Sequence, residues 1–191
     1  MIPKYIRYLK TIDKKLSGFF ESQKPYIFCK EGCSFCCETG EYPYTLVEIQ
    51  YLMLGFHQLA PEIQFEILEK INKLKEAKRT HKGKFMHECP FLTDKRCSVY
   101  NFRGLICRTH GLAFYDSKGK LRVPECIHQG LNYSNVYDTE KGVMSSELFK
   151  ASGFETEPVS FNLSRKFLLN NEATQYLELD FGEEKALIDW L

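Results

Sequence analysis

The stretch CKEGCSFCC, residues 29–37, places four cysteines within nine positions and decides how the fold is interpreted. The chain has 191 residues and eight cysteines, and the other four thiols are Cys89, Cys97, Cys107 and Cys126. The last third of the chain has none. Packing gains little from so many thiols in one segment, so their number and clustering predict that thiolates bind a metal.

The residues before this stretch predict a cytoplasmic protein. Basic residues interrupt every apolar run in this segment, whereas a secretory signal has a continuous apolar region. They are Lys4, Arg7, Lys10, Lys14 and Lys15. No segment approaches the roughly 18 apolar residues of a membrane span, so no membrane association is expected. Cytosolic thiols are kept reduced, which places metal ligation or redox chemistry ahead of a disulfide framework.

Composition and length predict one globular domain over residues 1–191. Hydrophobic residues make up 43% of the chain and charged residues 27%, as in an ordinary folded protein. Residues 1–137 carry a net charge of +7 and residues 138–191 a net charge of −6, by count of Lys and Arg against Asp and Glu. We expect a cysteine-cluster core at residues 29–128, with the acidic segment 138–191 packed on it.

Helical signals dominate the rest of the chain. Thr45 and Glu48 form a capping-box pattern before an apolar stretch that ends near Gly55, and a second helix is predicted from Pro61 to about Lys78. Residues 4–20 have a weaker helical pattern. Short helices are predicted at 145–151, 164–170 and 183–191, and a β-hairpin at 113–115 and 121–123. The predicted fold is therefore mainly α, with irregular cysteine-rich loops and a small β-hairpin, in one compact metal-stabilised domain.

Cys33-x2-Cys36 is the strongest local motif, because two intervening residues let both thiolates turn toward one ion or cluster. Cys36 and Cys37 are adjacent, and neighbouring side chains diverge in an extended chain or a helix. Two interpretations of Cys37 stay open at this point. It ligates at a second site, or it is a buried apolar residue beside a ligand.

The second cysteine group, CPFLTDKRCSVYNFRGLICR, does not have the paired spacing of a zinc ribbon. The best predicted ligands are Cys33, Cys36, Cys89, Cys97 and Cys107, followed by Cys29, Cys37 and Cys126. His87, His110 and His128 each lie near a cysteine in sequence, and His110 has the best spacing for a mixed site. Proximity in sequence is weak evidence of ligation, so for all three we favour the interpretation that surface or capped histidines fall there by chance.

Thiolates are soft donors that suit both zinc and iron–sulfur centres, so ligand type does not separate the two cofactors. Irregular, long spacings favour an iron–sulfur cluster held from several loops, with a role in electron transfer or cluster-dependent catalysis. The alternative is a structural zinc module that binds a protein partner. A third interpretation is thiol redox chemistry at Cys36 and Cys37. A basic run at residues 70–84 is better explained as a solvated helix end than as a nucleic-acid contact.

Taken in order, CKEGCSFCC, CPFL, CSVYNFRGLICR and the trailing Cys126 resemble the YkgJ-like cysteine-cluster family, described as zinc- or iron-chelating domain proteins. The resemblance covers roughly residues 29–128. The matching positions are Cys33, Cys36 and Cys37 in the first block and Cys89, Cys97, Arg103, Cys107 and Arg108 in the second. The chain departs from the family pattern at Gly104, where proline is usual, and this removes no ligand.

The resemblance implies metal or iron–sulfur binding. A similar cysteine arrangement occurs in flagellin lysine methylases, which implies that some relatives are enzymes. No residue of this chain argues independently for methyl transfer, and the sequence names no substrate.

Overall fold

The computed structural model describes residues 1–30 and 32–191. Helices occupy about half of the chain and the strands are short antiparallel pairs, which confirms the mainly α prediction with small hairpins. The helices are α1 Ile2–Ser22, α2 Phe35–Glu38, α3 Leu46–Phe56, α4 Pro61–Thr80, α5 Leu105–Thr109, α6 Ser146–Ser152, α7 Arg165–Leu169, α8 Glu172–Tyr176 and α9 Leu187–Trp190. The strands are β1 Pro43–Thr45, β2 Leu92–Thr93, β3 Arg96–Cys97, β4 Phe114–Tyr115, β5 Leu121–Arg122, β6 Tyr137–Asp138, β7 Val143–Met144 and β8 Glu184–Ala186.

The chain divides into two compact units. The first unit comprises Met1–Tyr5, Gly32–Cys107 and Leu179–Leu191, and the second comprises Ile6–Glu31 and Arg108–Glu178. The acidic segment 138–191 therefore contributes residues to both units. A single domain over 1–191, with a 29–128 core, stays a prediction. Within the described ranges, no helix is long and apolar enough to cross a membrane.

The first unit is built around α3 and α4, which form as the capping box and helical periodicity predict. Glu48 is fully buried at the start of α3, and its Oε2 accepts hydrogen bonds from the Thr45 backbone N–H at 2.9 Å and the Thr45 hydroxyl at 2.8 Å. Leu52, Ile67 and Ile71 are buried in the apolar cluster that the two helices share. The unit therefore has its own hydrophobic core.

The C-terminal residues complete the first unit, and here one prediction is wrong. Glu184–Ala186 is not helical but forms strand β8, antiparallel to β1, with Tyr44 opposite Lys185. The helix is limited to α9, whose Leu187 and Ile188 are buried in the same apolar cluster. Strand pairing with β1, more than 130 positions away, overrides the local helical pattern.

The second unit contains most of α1, whose predicted apolar positions Leu9, Ile12 and Leu16 are buried. The predicted hairpin is confirmed as β4 and β5, and the short helices α6 and α7 are confirmed with Ser145 and Ser164 as their N-caps. Helix α8, capped by Asn171, was not predicted. A separate apolar cluster, including Tyr26, Ile127 and Tyr133, forms the core of this unit.

Candidate metal centre

A short antiparallel pairing joins the two cysteine groups within the first unit. Gly40 and His87 exchange backbone hydrogen bonds, each 3.0 Å long. Two residues further on, the Cys89 N–H donates to the Cys37 carbonyl at 2.8 Å. The Tyr42 hydroxyl donates to the same carbonyl at 3.0 Å. Helix α2, which carries Cys36 and Cys37, is therefore fixed beside Cys89.

The β2–β3 hairpin returns the chain from Cys89 to Cys97. The Leu92 N–H donates to the Cys89 carbonyl at 3.0 Å, and Leu92 lies directly opposite Cys97 in the ladder. Asp94 and Lys95 make the reversal with φ angles of 48° and 59°. Two consecutive left-handed residues match the right-handed twist of a hairpin, although glycine or asparagine is more usual there. The tight turn therefore fixes the position of Cys97.

Residues of β1 and α3 hold the segment that leads to Cys107. The Glu48 Oε1 accepts the Leu105 N–H at 2.8 Å, and the Tyr44 hydroxyl oxygen accepts the Gly104 N–H at 3.1 Å. The same hydroxyl lies 3.5 Å from the Cys107 Sγ. A Cβ at position 104 would lie 2.8 Å from the Tyr44 ring and 3.0 Å from the Glu48 carboxylate. Only glycine fits between these side chains without displacing them.

Four thiols converge as a result, and we call Cys36, Cys89, Cys97 and Cys107 the thiol cluster. In each of its six pairs, the two sulfurs are close enough for the charge of one to raise the pKa of the other. All four side chains are partly buried. Cys89, Cys97 and Cys107 also pack against the apolar core of the unit. The cluster draws its members from α2, the turn before β2, β3 and α5.

Burial is the main cause of the pKa shifts in the thiol cluster. It raises the pKa of Cys107 to about 12 and raises those of Cys89 and Cys97 above their ordinary value. Without a metal these three groups are therefore neutral thiols near pH 7, and a metal that binds them releases protons.

Cys36 differs from the other three members because its pKa is lowered. The main cause is a hydrogen bond from the neighbouring Cys37, whose Sγ lies 3.9 Å away, and the positive charge of Arg103 contributes. The Arg103 guanidinium stacks 3.8 Å above the Tyr100 ring. The same hydrogen bond and burial raise the pKa of Cys37. Cys37 is thus a protonated donor to Cys36, and Cys36 is the cluster member that most readily becomes a thiolate.

The remaining predicted site residues lie elsewhere. Cys33 belongs to the first unit and is exposed, whereas Cys29 and Cys126 belong to the second unit. Cys29 is exposed and accepts a hydrogen bond from the Asn132 amide at 3.3 Å, and Cys126 is buried. His110 and His128 also belong to the second unit.

The ring of His87 is 6% exposed and packs against aromatic side chains. The nearest rings are those of Tyr42 and Phe85, with centroids 5.5 Å and 5.2 Å away. Its Nδ1 lies 2.7 Å from the Glu88 carbonyl oxygen. Its Nε2 is buried and has no hydrogen-bond partner among the described residues. His87 is therefore not a surface histidine, and its part in a metal site stays a prediction.

The donor set of the thiol cluster fits a zinc or iron–sulfur centre, since both are commonly held by four cysteine thiolates. As the side chains stand, no three His, Cys, Asp or Glu groups among residues 1–30 and 32–191 are arranged to hold a single metal ion. The match therefore lies in the chemistry of four soft, partly buried donors brought together by the backbone.

Sequence reasoning missed the residues that support the candidate ligands. Glu48 was recognised only as a helix cap, yet its second oxygen binds the amide of Leu105. Tyr44 carried no sequence signal, because one tyrosine in a short apolar run is indistinguishable from a core residue. The pairing of Gly40 with His87 involves no cysteine and also left no recognisable pattern.

The comparison with family models identifies the class of protein. Residues 28–127, just over half of the chain, match the CxxCxxCC family, described as "Putative zinc- or iron-chelating domain". The chain belongs to this family, which confirms the resemblance seen in the cysteine blocks and supports metal chelation as its general function. No curated protein and no solved structure gives a significant match to the chain.

Proposed function

We propose that the first unit holds an iron–sulfur cluster through the thiolates of Cys36, Cys89, Cys97 and Cys107, and that the protein works in the cytoplasm. The observation that carries this proposal is the convergence of four thiols from four separate segments, with every pair close enough to interact electrostatically. Iron–sulfur clusters are commonly held in this way, by four cysteines on irregular loops.

The residues around the thiol cluster support this assignment. Backbone hydrogen bonds hold Cys89 beside α2, and the hairpin places Cys97 opposite Leu92, so the backbone at both candidate ligands is paired. Arg103 lies close enough to favour the charged forms of Cys36, Cys97 and Cys107. Four thiolates together carry a large negative charge, which a nearby guanidinium partly offsets.

A bound cluster would supply one-electron redox chemistry, whereas bound zinc would supply structural stability. The partly buried position of the four thiols suits electron exchange with a protein partner, because the centre is shielded from bulk water yet lies near the surface. An electron-transfer role is therefore the function we favour.

The second candidate is a structural zinc site in the same four thiolates. The observation in its favour is that the thiol cluster consists of cysteine alone, which is the donor set of closed, four-coordinate zinc sites. In that case the metal stabilises the first unit and the function is to bind a protein partner.

The test is elemental analysis with an absorption spectrum of the full chain purified without air. Iron with acid-labile sulfide and a broad visible absorption supports the first candidate. Zinc in a colourless protein supports the second candidate. A folded chain that takes up neither zinc nor an iron–sulfur cluster overturns both.

A further inference from the structure

Tyr44 presents its hydroxyl to a member of the thiol cluster, Cys107. Tyr44 is 2% exposed, and its hydroxyl oxygen lies 3.5 Å from the Cys107 Sγ. We propose that Tyr44 is a positioning residue for the metal centre, and that its phenol donates a hydrogen bond to the Cys107 thiolate and sets the direction and electron density of that sulfur. This inference rests on the proposed function.

The direction of this hydrogen bond follows from the neighbouring amide. The Gly104 N–H donates to the Tyr44 oxygen at 3.1 Å, so this oxygen already acts as an acceptor. A phenol has one proton to donate. A metal-bound Cys107 is a thiolate, which can only accept, so the Tyr44 hydroxyl is the donor to sulfur in the loaded protein.

The backbone of Tyr44 is also held, by strand pairing and by a hydrogen bond to its carbonyl. Tyr44 is the central residue of β1, opposite Lys185 of β8, and its carbonyl accepts the Trp190 indole N–H at 2.8 Å. A donor fixed on a paired strand keeps its direction when the ligand exchanges its proton for a metal. Such preorganised outer partners orient the ligands of a metal site and tune the metal.

Gly104 makes the arrangement sterically feasible. A Cβ on this residue would approach the Tyr44 ring to 2.8 Å, and a proline there would lack the N–H that the phenol accepts. Glu48 binds the next amide, that of Leu105, at 2.8 Å. The consecutive amides of Gly104 and Leu105, a short distance before Cys107, are thus both bound by side chains of one segment, residues 44–48.

Hydrogen bonds to cysteine sulfur withdraw electron density and are one of the factors that set the potential of an iron–sulfur centre. Removing the Tyr44 hydroxyl should therefore shift the reduction potential of the loaded protein to a more negative value. Loss of an outer hydrogen bond also weakens metal binding, typically by about 10- to 100-fold. We expect both effects from Tyr44→Phe, which keeps the buried ring.

The experiment compares the full chain with Tyr44→Phe and with Tyr8→Phe as a matched control. Tyr8 is 1% exposed and its hydroxyl donates to the Leu168 carbonyl at 2.6 Å, within the second unit and not to sulfur. Each protein is assayed by competition with a chelator and by its metal-centre signature. The signature is the reduction potential for an iron–sulfur form, or the sulfur-to-cobalt charge-transfer band after Co²⁺ replaces zinc.

Weaker metal binding and a shifted signature in Tyr44→Phe alone support the proposal. An unchanged affinity and signature overturn it, and so do equal losses in both variants, because those indicate a general loss of stability. 3-Fluorotyrosine at position 44 provides a second test that preserves the fold. Its more acidic phenol is a stronger donor and should shift the signature in the opposite direction from Tyr44→Phe, and no shift overturns the proposal. A folded parent chain that binds no metal instead overturns the proposed function, before any variant is compared.

Discussion

The two units of the molecule use cysteine in opposite ways. In the first unit, four thiols from separate segments lie so close together that in every pair the charge of one raises the pKa of the other. In the second unit, Cys29 is exposed and accepts a hydrogen bond from Asn132, while Cys126 is buried. Number and spacing in the sequence do not distinguish these fates. The difference lies in the backbone pairing around each thiol.

The contrast extends to the support around each thiol. In the first unit, the buried Tyr44 phenol binds the amide of Gly104, which precedes α5, and the fully buried Glu48 carboxylate binds the amide of Leu105, the first residue of α5. In the second unit, the buried side-chain amide of Asn132 binds the Gly111 carbonyl at 3.0 Å as well as the Cys29 sulfur. The Asn132 Oδ1 also accepts the Phe28 N–H at 2.8 Å, so the backbone beside Cys29 is supported as well. The two units therefore differ in how many thiols are gathered, and both hold the backbone beside a cysteine through buried polar side chains.

Replacing a member of the thiol cluster should produce the largest effect. We expect Cys107→Ser to lose most of the bound metal, because a serine hydroxyl is a poor ligand for a soft metal. Cys29→Ser in the second unit should retain the metal content of the parent chain. Elemental analysis of both variants, purified in parallel without air, measures the difference.

The same comparison applies to the other cysteines of the first unit. Cys36→Ser, Cys89→Ser and Cys97→Ser should lose most of the bound metal, as Cys107→Ser should. The exposed Cys33 is the most informative position for this comparison. The sequence ranks Cys33 among the best ligands, whereas it lies exposed and outside the thiol cluster. Full metal content in Cys107→Ser, or loss of metal in Cys29→Ser, would contradict the division between the units.

Two glycines provide the next comparison. Gly104 does not adopt a left-handed backbone, so the cost of Gly104→Ala arises from space, where a Cβ would meet the Tyr44 ring at 2.8 Å. Overpacking of this kind typically costs about 1–3 kcal/mol of unfolding free energy. Gly18 lies inside α1, and apart from its chain neighbours and the adjacent backbone of its own helix, no described atom lies within 4 Å of the Cβ it would gain. Gly18→Ala should therefore stabilise the chain by about 0.5–1 kcal/mol.

Denaturant unfolding of the metal-free proteins measures both changes. Chelator competition then shows whether Gly104→Ala also weakens metal binding, as displacement of Tyr44 from Cys107 requires. Equal stability of the two alanine variants would mean that the contacts around Gly104 relax without cost.

These comparisons also show how far the sequence predicts the structure. Helices α1, α3 and α4 follow from apolar periodicity and end signals, because those are local properties. The short helix α8 was missed because five residues contain too few turns for a periodic pattern. The local pattern predicts helix where strand β8 forms, because the pairing partner of β8 lies at Pro43–Thr45, far away in the sequence.

Prediction of the candidate site has the same limit, because local patterns are visible in the sequence and pairing between distant segments is not. The sequence predicts Cys33, Cys36, Cys89, Cys97 and Cys107 as the best ligands. The structure gathers the last four of these, and Cys33 is exposed. The decisive contacts are the Gly40–His87 bridge and the Asp94–Lys95 turn. The first joins residues that lie far apart in the sequence, and the second lacks the glycine or asparagine that is usual in such a turn, so neither leaves a recognisable motif.

A helix cap in the second unit should affect stability without affecting the metal. The Asn171 Oδ1 accepts the N–H groups of Ala173 at 3.0 Å and Thr174 at 3.3 Å, and thereby caps α8. Asn171→Ala should lower the unfolding free energy by about 1 kcal/mol, the usual cost of losing an N-cap. Metal content and the visible spectrum should equal those of the parent chain. A change in the spectrum would show that the second unit influences the centre.

The smallest expected effect is a pH dependence at His110, a half-buried residue of the second unit. Burial lowers the pKa of His110, and the negative charge of Glu125 opposes this shift. The unfolded chain takes up the proton near the ordinary histidine pKa of about 6.5, whereas the folded chain resists it until a lower pH. The stability that His110 contributes is therefore complete above about pH 6.5 and is lost as the pH falls through the lowered folded-state pKa.

His110→Gln removes this proton uptake, so the difference in unfolding free energy between parent and variant should change between pH 7.5 and pH 5.5, while metal content at pH 7.5 stays equal. Urea unfolding at both pH values measures the change. A difference that is constant with pH would contradict the burial of a neutral imidazole, and loss of metal in His110→Gln would instead make His110 a ligand and remove the contrast between the two units.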